Sequence, residues 1–582
     1  MATNVAVFLP SKAVFGETGD REDAIRALLK LINIADAVEF CAFLNVIISG
    51  LGSAPDADRQ WTALMGIVGH DEEVMSRINQ ARREIADLDK LTIFFRGQLI
   101  ELAGYAVRYC TADREIDNLL HPDGGDVYLS NRVNFFKAAL IAGEIERSRN
   151  VEPIFAEELD SADFKVRIAG KMRRALEGSA RMPHLGHLIG RGQALFGEFL
   201  PEKHAGFVQE FENMTGVSLD QYFTCLAMLM PALNAERARD WVIPANGIGI
   251  DSSQHGMFQR FMSLESKSIS ELKSAARSSK KFRAEIMKKP IVRTRDNRCV
   301  VLDPIFLSEK ISIGPLFALV AQKSKEDGDN LLASFGQAFE SYSQSIIREG
   351  AVHGGWLRHD MNVPFPVPGR QDPYELDAVV FNNLAAATIF EAKAAWIRED
   401  CVDDGGPEDF ATHVRKKYGA SDEAEKGVAQ LARNIGHIIR GEMVNPAYWS
   451  GILCFFPILL VHDTRLSTVG DLLNDDFKKL LGEVPKGRKV ADLILMTVVD
   501  IEVIEFTLAE FSLWEILHDY DRVCFDRQDS LAEFLNLHPK YRGRLHQNQR
   551  LQTLCNQLFE RTKSVLFPKA PDAVVTDTPS IV

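Results

Sequence analysis

At 582 residues with 46% hydrophobic and 25% charged residues, the chain is too long for one core and too apolar to be disordered, and three or four domains are expected. A net charge of −14 excludes a protein coated in basic surface, so contact with nucleic acid has to come from local patches. Eight cysteines scattered singly, with no C-x-x-C pair, exclude a zinc ribbon or a dithiol redox site. No stretch approaches an uninterrupted apolar span of membrane length, and the first residues lack a charged leader followed by an apolar run. A cytoplasmic protein without a membrane partner is expected.

From Arg21 to about Arg239 amphipathic spacing predicts helices, as over 23–48, 78–110, 132–147 and 164–176, separated by Gly, Pro and Asp clusters. Residues 1–250 therefore read as a large all-helical domain suited to sensing, homo-oligomerisation or substrate binding. His184 and His187 are spaced like metal ligands but lack a third, and Asn246-Gly247-Ile248-Gly249 lacks the third glycine of a dinucleotide loop. Residues 251–329 form a connecting region of different character. Over 251–300, twelve Lys and Arg face five acids, and Lys280, Lys281 and Arg283 form its densest cluster. Such an excess suits the phosphate backbone of a nucleic acid, and equally a solvated helix face. Residues 293–307 read as a hairpin turning at Asp296-Asn297.

Chemistry and secondary structure coincide between Tyr374 and Trp396. Apolar runs Leu376–Phe381 and Ala387–Phe390 flank Asn382-Asn383, a turn signal, and predict a β-hairpin. At its far end lie Asp377 on the first strand and Glu391-Ala392-Lys393 on the second, with Glu391 and Lys393 on one face. An odd-numbered loop places Asp377 across from Glu391 on that face; a two-residue loop requires a bulge to do so. Two neighbouring carboxylates repel unless a cation lies between them, and hard oxygens suit Mg²⁺ or Mn²⁺. Acid-x-lysine also occurs at Asp163, Glu265, Glu271 and Asp476, but only Glu391 follows an apolar strand preceded, across a turn, by a strand bearing an aspartate. A helix over 331–349 carries Glu340, a first strand is expected over 356–367, and a second helix over 423–440 carries Gln430. Two later strands are expected over 451–462 and 490–506. The acidic stretch 397–409 and the following Arg415-Lys416-Lys417-Tyr418 read as a long loop that covers the hairpin's end.

The order Asp377, Glu391-x-Lys393 on a hairpin, between helices bearing Glu340 and Gln430, resembles the PD-(D/E)xK or restriction-endonuclease-like nucleases over about residues 330–510. Leu376 stands where the family name has proline. The resemblance implies an α+β fold whose core is helix, β-meander, helix and strand. It implies Mg²⁺- or Mn²⁺-dependent hydrolysis of phosphodiester bonds, with Asp377, Glu391 and the backbone carbonyl of Ala392 holding the metal. Lys393 then positions the attacking water, and Glu340 and Gln430 complete the site. DNA is the substrate the family implies, with RNA not excluded, and restriction or bacterial antiphage defence is the role it suggests. The alternative is a non-catalytic interaction protein that uses the nuclease fold as a scaffold.

Residues 511–582 read as a short helical region ending in a flexible tail. Within it, Lys540, Arg542, Arg544 and Arg550 surround Tyr541 with no acid in the local sequence, a mixture suited to a nucleic-acid strand or to a basic turn between helices.

Overall fold

From about residue 325 the chain builds its largest sheet. The computed structural model describes residues 7–17, 19–49, 57–83, 91–111, 125–150, 185–229, 242–244, 255–295, 298–354, 358–369, 371–383, 385–396, 407–421, 424–443, 446–523, 530–544 and 548–566. The fold is α+β, and among the described residues no helix is long and apolar enough to cross a membrane.

The elements that build the sheet region are α1 (Lys325–His353), β1 (Arg358–Phe365), β2 (Tyr374–Asn383), β3 (Ala386–Lys393), α2 (Pro407–Tyr418), α3 (Val428–Arg440), β4 (Cys454–Val461), α4 (Gly470–Leu481), β5 (Lys489–Val490), β6 (Ile494–Thr497) and α5 (Val498–Thr507). Strands β1, β2 and β3 form an antiparallel meander; β4 runs parallel to β3, and β5 and β6 both pair in parallel with β4. Parallel pairing needs crossovers, and helices α2, α3 and α4 lie in them.

Helix α1 starts where Ser324 accepts the Asp327 amide, and its Leu331, Phe335, Ala338, Phe339, Tyr342 and Ile346 form one buried stripe. That stripe shares a core with Ala378, Val380, Phe390, Ile458, Leu460 and Met496 on one face of the sheet, and with Ile501 and Ile504 of α5. The opposite face presents Val379, Phe381, Ala387, Ile389, Phe455 and Leu459 to α2, α3 and α4. Gly427 opens α3 at φ 47°, where a side-chain carbon would lie 2.4 Å from the Tyr418 carbonyl oxygen.

Two expectations change here. The long strand expected over 490–506 is two short strands followed by a helix. Thr497 and Asp500 form a capping box that starts α5; the acids at 500 and 502, which imitate strand alternation, and the one at 505 are buried with partners. Arg191 holds Glu502 through two nitrogens, at 2.6 and 2.5 Å; Asn548 donates to Glu505 at 2.6 Å; and the Ala532 amide donates to Asp500 at 2.7 Å. The covering loop expected over 397–418 is, in its described part, helix α2, with Tyr418 buried and Arg415 paired to Asp476; residues 397–406 lie outside the described set.

The N-terminal half is helical but not wholly so. Val7–Phe8 pairs in parallel with Leu91–Thr92, and Val242–Pro244 joins a four-stranded sheet with Arg298–Val301, Ile291–Arg295 and Ser266–Ser268, in which Ile291–Arg295 and Arg298–Val301 pair antiparallel with Arg295 opposite Arg298. These strands are two to five residues long, too short to leave an alternating apolar signal. One core joins helices between residues 21 and 150 to helices Ile269–Ala275 and Ser279–Lys288 and to this hairpin. The core on the α1 side of the sheet also takes in helices between 185 and 229 and the C-terminal helices Leu513–Val523, Leu531–Leu537 and Gln549–Leu566. Gly190 packs so closely on the last of these that an added side-chain carbon would meet the Leu551 carbonyl at 2.2 Å.

Candidate active site

Asn383 pairs with Ala386, so two residues of sequence separate the paired strands, and the register shifts between Phe381 and Asn383. That bulge restores the alignment which a two-residue loop alone would have lost. The pairs run from Phe381↔Ala387 to Ala378↔Phe390, and continuing by one residue sets Asp377 opposite Glu391.

At this point the β2–β3 ladder ends. The Ala392 amide, instead of meeting a carbonyl of β2, donates to the Asp377 carboxylate at 2.7 Å. The Asp377 carbonyl accepts from the Gln344 side chain of α1 at 2.9 Å. Both backbone groups released by the splayed strands are thus satisfied by side chains.

Glu391 is fully buried, flanked across β4 by Leu459, and neither of its oxygens has a donor in hydrogen-bonding geometry. The Lys393 ammonium lies 2.6 Å from its Oε1 as an ion pair. Burial, followed by the charge of Asp377, pushes Glu391 up to about 8 in spite of that ammonium. Glu340, half-buried on α1, rises to about 7, again through burial first and Asp377 second. Burial raises Asp377 too, opposed by Lys393 and by the Ala392 amide. Burial pulls Lys393 down, but Glu391 and Asp377 outweigh it and the net shift is upward. Three acids and one lysine are therefore coupled electrostatically at one end of the sheet.

Of the residues singled out in the sequence, the structure brings together Asp377, Glu391, Lys393 and Glu340. Gln430 lies half-buried on α3, and among the described residues no hydrogen bond joins it to the others. Sequence reasoning missed Gln344, Asn362, whose side-chain oxygen also accepts from Gln344, and Lys203, an exposed lysine whose charge acts on Glu340. Lys203 stands one helical turn beyond Phe199, whose ring packs on Tyr342 of α1. None of the three carries a local sequence signal, because each arrives through tertiary packing.

A divalent cation is testable against these groups. Asp377 and Glu391 supply hard carboxylate oxygens of the kind that suits Mg²⁺ or Mn²⁺, with the Lys393 ammonium 2.6 Å from Glu391 Oε1. Glu340 does not close the pair into a triad: among the described residues no three His, Cys, Asp or Glu side chains are arranged to hold a metal ion.

The other acid-x-lysine pairs are engaged elsewhere. Lys267 pairs with Glu285, Glu271 with Arg293, and Asp476 with Arg415, while Asp163 lies outside the described residues. His187 accepts the Asn548 amide at 3.2 Å and so serves packing; His184 and residues 246–249 lie outside the described set.

The basic patches fare unequally. Helix Ser279–Lys288 packs against helix Arg96–Tyr109 through Phe282, with Lys281 exposed and Arg283 partly buried. Nothing is described of the Lys280 side chain. Lys540 is not free for a ligand, since it pairs with Glu515 at 2.6 Å and Asp519 at 2.7 Å, and the buried Tyr541 donates to Asp519. The local sequence lacks an acid, but helix Leu513–Val523 brings two. Arg542 and Arg544 remain exposed, and Arg550 is held by Ser345.

No family model, curated protein or solved structure matches this chain.

Proposed function

We propose that residues 325–507 form a restriction-endonuclease-like nuclease core and that the protein hydrolyses phosphodiester bonds of nucleic acid, DNA in the first instance, with Mg²⁺ or Mn²⁺. The observation that carries this reading is the juxtaposition of Asp377 and Glu391 across the β2–β3 hairpin, with the Lys393 ammonium 2.6 Å from the buried Glu391 carboxylate. The order of helix, antiparallel meander, helix and parallel strand supports the same reading.

In this account Asp377, Glu391 and the Ala392 carbonyl would hold the cation, which would supply charge neutralisation at the scissile phosphate. Lys393, whose side chain is 28% exposed, orients water and stabilises negative charge at the mouth of the site. Glu340 is poised near neutrality to accept or hold a proton beside that water. Gln430 is assigned to the site by the family resemblance alone. The cytoplasmic setting and a role in restriction or antiphage defence rest on the family resemblance alone, as does self-association through the helical half.

One observation favours a second reading. The Lys393–Glu391 pair is closed and no triad of acids forms among the described residues, as suits a scaffold that binds without cleaving. Incubation of plasmid and linear DNA with Mg²⁺, Mn²⁺ or EDTA separates the two: cation-dependent products support the nuclease, and binding without products supports the scaffold.

A further inference from the structure

Asp377 occupies a gap in the sheet. On one side the β2–β3 pairs stop at Ala378↔Phe390. On the other, the β1–β2 pairs go from Met361↔Ala378 directly to Val363↔Leu376, passing over Asn362 and Asp377. Asn362 has φ 48° and is the sole non-glycine residue with positive φ among those described. Asparagine tolerates this left-handed conformation better than most residues, and here it turns one residue out of the ladder opposite Asp377.

Gln344 fills the gap from α1. It is 6% exposed and stands one helical turn from Glu340. Its side-chain nitrogen donates to the Asp377 carbonyl at 2.9 Å, to Glu340 Oε1 at 3.2 Å and to Asn362 Oδ1. A primary amide has two hydrogens, so three acceptors share them, and three oxygens about one nitrogen fix which end of the amide faces inward. The same Asp377 offers its carboxylate to Ala392, whose carbonyl is among the groups assigned to the cation.

We propose that Gln344 is a positioning residue of the two-acid centre: its buried amide, wedged into a sheet held open by the left-handed Asn362, sets the Asp377 main chain and the Glu340 carboxylate in the arrangement that binds a divalent cation. The inference rests on the reading of Asp377 and Glu391 as cation ligands. Gln344 itself touches neither cation nor substrate. A residue that merely filled space would serve as well with a methionine side chain, which matches glutamine in length and lacks its donors.

The test is Mn²⁺ binding to the full chain, followed by loss of the free-ion electron paramagnetic resonance signal, in wild type, Gln344→Met and Asn362→Gly, with circular dichroism in EDTA to verify folding. Partners that orient metal ligands typically contribute about 10- to 100-fold to affinity. Gln344→Met is expected to stay folded and bind Mn²⁺ weaker by about that factor. Asn362→Gly keeps the backbone conformation, loses the oxygen that anchors Gln344, and is expected to weaken binding in the same direction; it decides the matter if Gln344→Met does not fold. Wild-type affinity in Gln344→Met, or in Asn362→Gly when that variant decides, overturns the positioning role and leaves the cation reading standing. Absence of Mn²⁺ binding by wild type overturns both.

Discussion

Asp377 stands across the β2–β3 hairpin from Glu391 because the register shifts between Phe381 and Asn383. The shift places two carboxylates, with Glu340 beside them, where burial opposes their ionisation. Glu391 titrates near 8 and Glu340 near 7 in the folded protein, against about 4.5 when unfolded. The folded state then holds protons that the unfolded state has released, so stability falls as pH rises. Both acids contribute between about pH 4.5 and 7, and Glu391 alone from 7 to 8. Melting temperatures in EDTA from about pH 5 to 9 are expected to decline across this window in wild type and to flatten between pH 7 and 8 in Glu391→Gln. Parallel curves for the two proteins would show that Glu391 is ionised throughout.

Lys393 bears on both chemistry and stability. Its ammonium is the counter-charge of a buried carboxylate at 2.6 Å. Lys393→Met is expected to lower the cleavage rate by roughly 10²- to 10⁴-fold and to lose more stability at about pH 9 than at about pH 6, where Glu391 is protonated. Adding Glu391→Gln to Lys393→Met should restore the alkaline stability and not the rate. Urea midpoints at the two pH values check this, and a stability loss independent of pH would mean that the lysine acts by packing.

The Arg191–Glu502 pair ties a helix of the N-terminal half to α5, and both side chains are almost fully buried. Removing one partner of such a pair costs about 3–5 kcal/mol, because the other charge is left buried. Arg191→Leu is expected to lose stability of that order in urea denaturation. A loss under about 1 kcal/mol would mean that Tyr342, which also donates to Glu502, is sufficient to hold it.

Two basic patches are separable by binding. Lys540 is committed to Glu515 and Asp519, so Lys540→Ala is expected to leave DNA affinity unchanged. Combined replacement of Lys280, Lys281 and Arg283 by alanine is expected to weaken binding and to reduce the slope of log affinity against log salt by about 0.9 for each phosphate left without its neutralising cation. An unaltered slope would remove that helix from the interface.

The hairpin was legible in the sequence because local signals sufficed, two β-prone runs with an acid at each strand end, although Asn382-Asn383, read there as the turn, lies at the register shift, with Asn383 paired to Ala386. Helices α1 and α3 were legible through their apolar spacing, and β4 as a wholly apolar run. Helix α5 was not, since its carboxylates at 500 and 502 imitate a strand and their partners, Arg191 and the Ala532 amide, are distant in the chain. Gln344, Asn362 and Lys203 share that difficulty, for a lone amide or lysine acquires meaning only from what packs beside it. The acids that occupy Lys540 belong to a neighbouring helix, so a count of local charge misjudged that patch.

The most direct measurement is cleavage of supercoiled plasmid by wild type, Asp377→Ala and Glu391→Ala, each shown to be folded in EDTA, with Mg²⁺, Mn²⁺ or EDTA present. Wild type is expected to produce nicked or linear DNA only with a divalent cation, and neither variant to do so at a comparable rate. Cleavage by folded Glu391→Ala at the wild-type rate, or intact DNA and RNA with wild type under every cation condition, would contradict the nuclease reading.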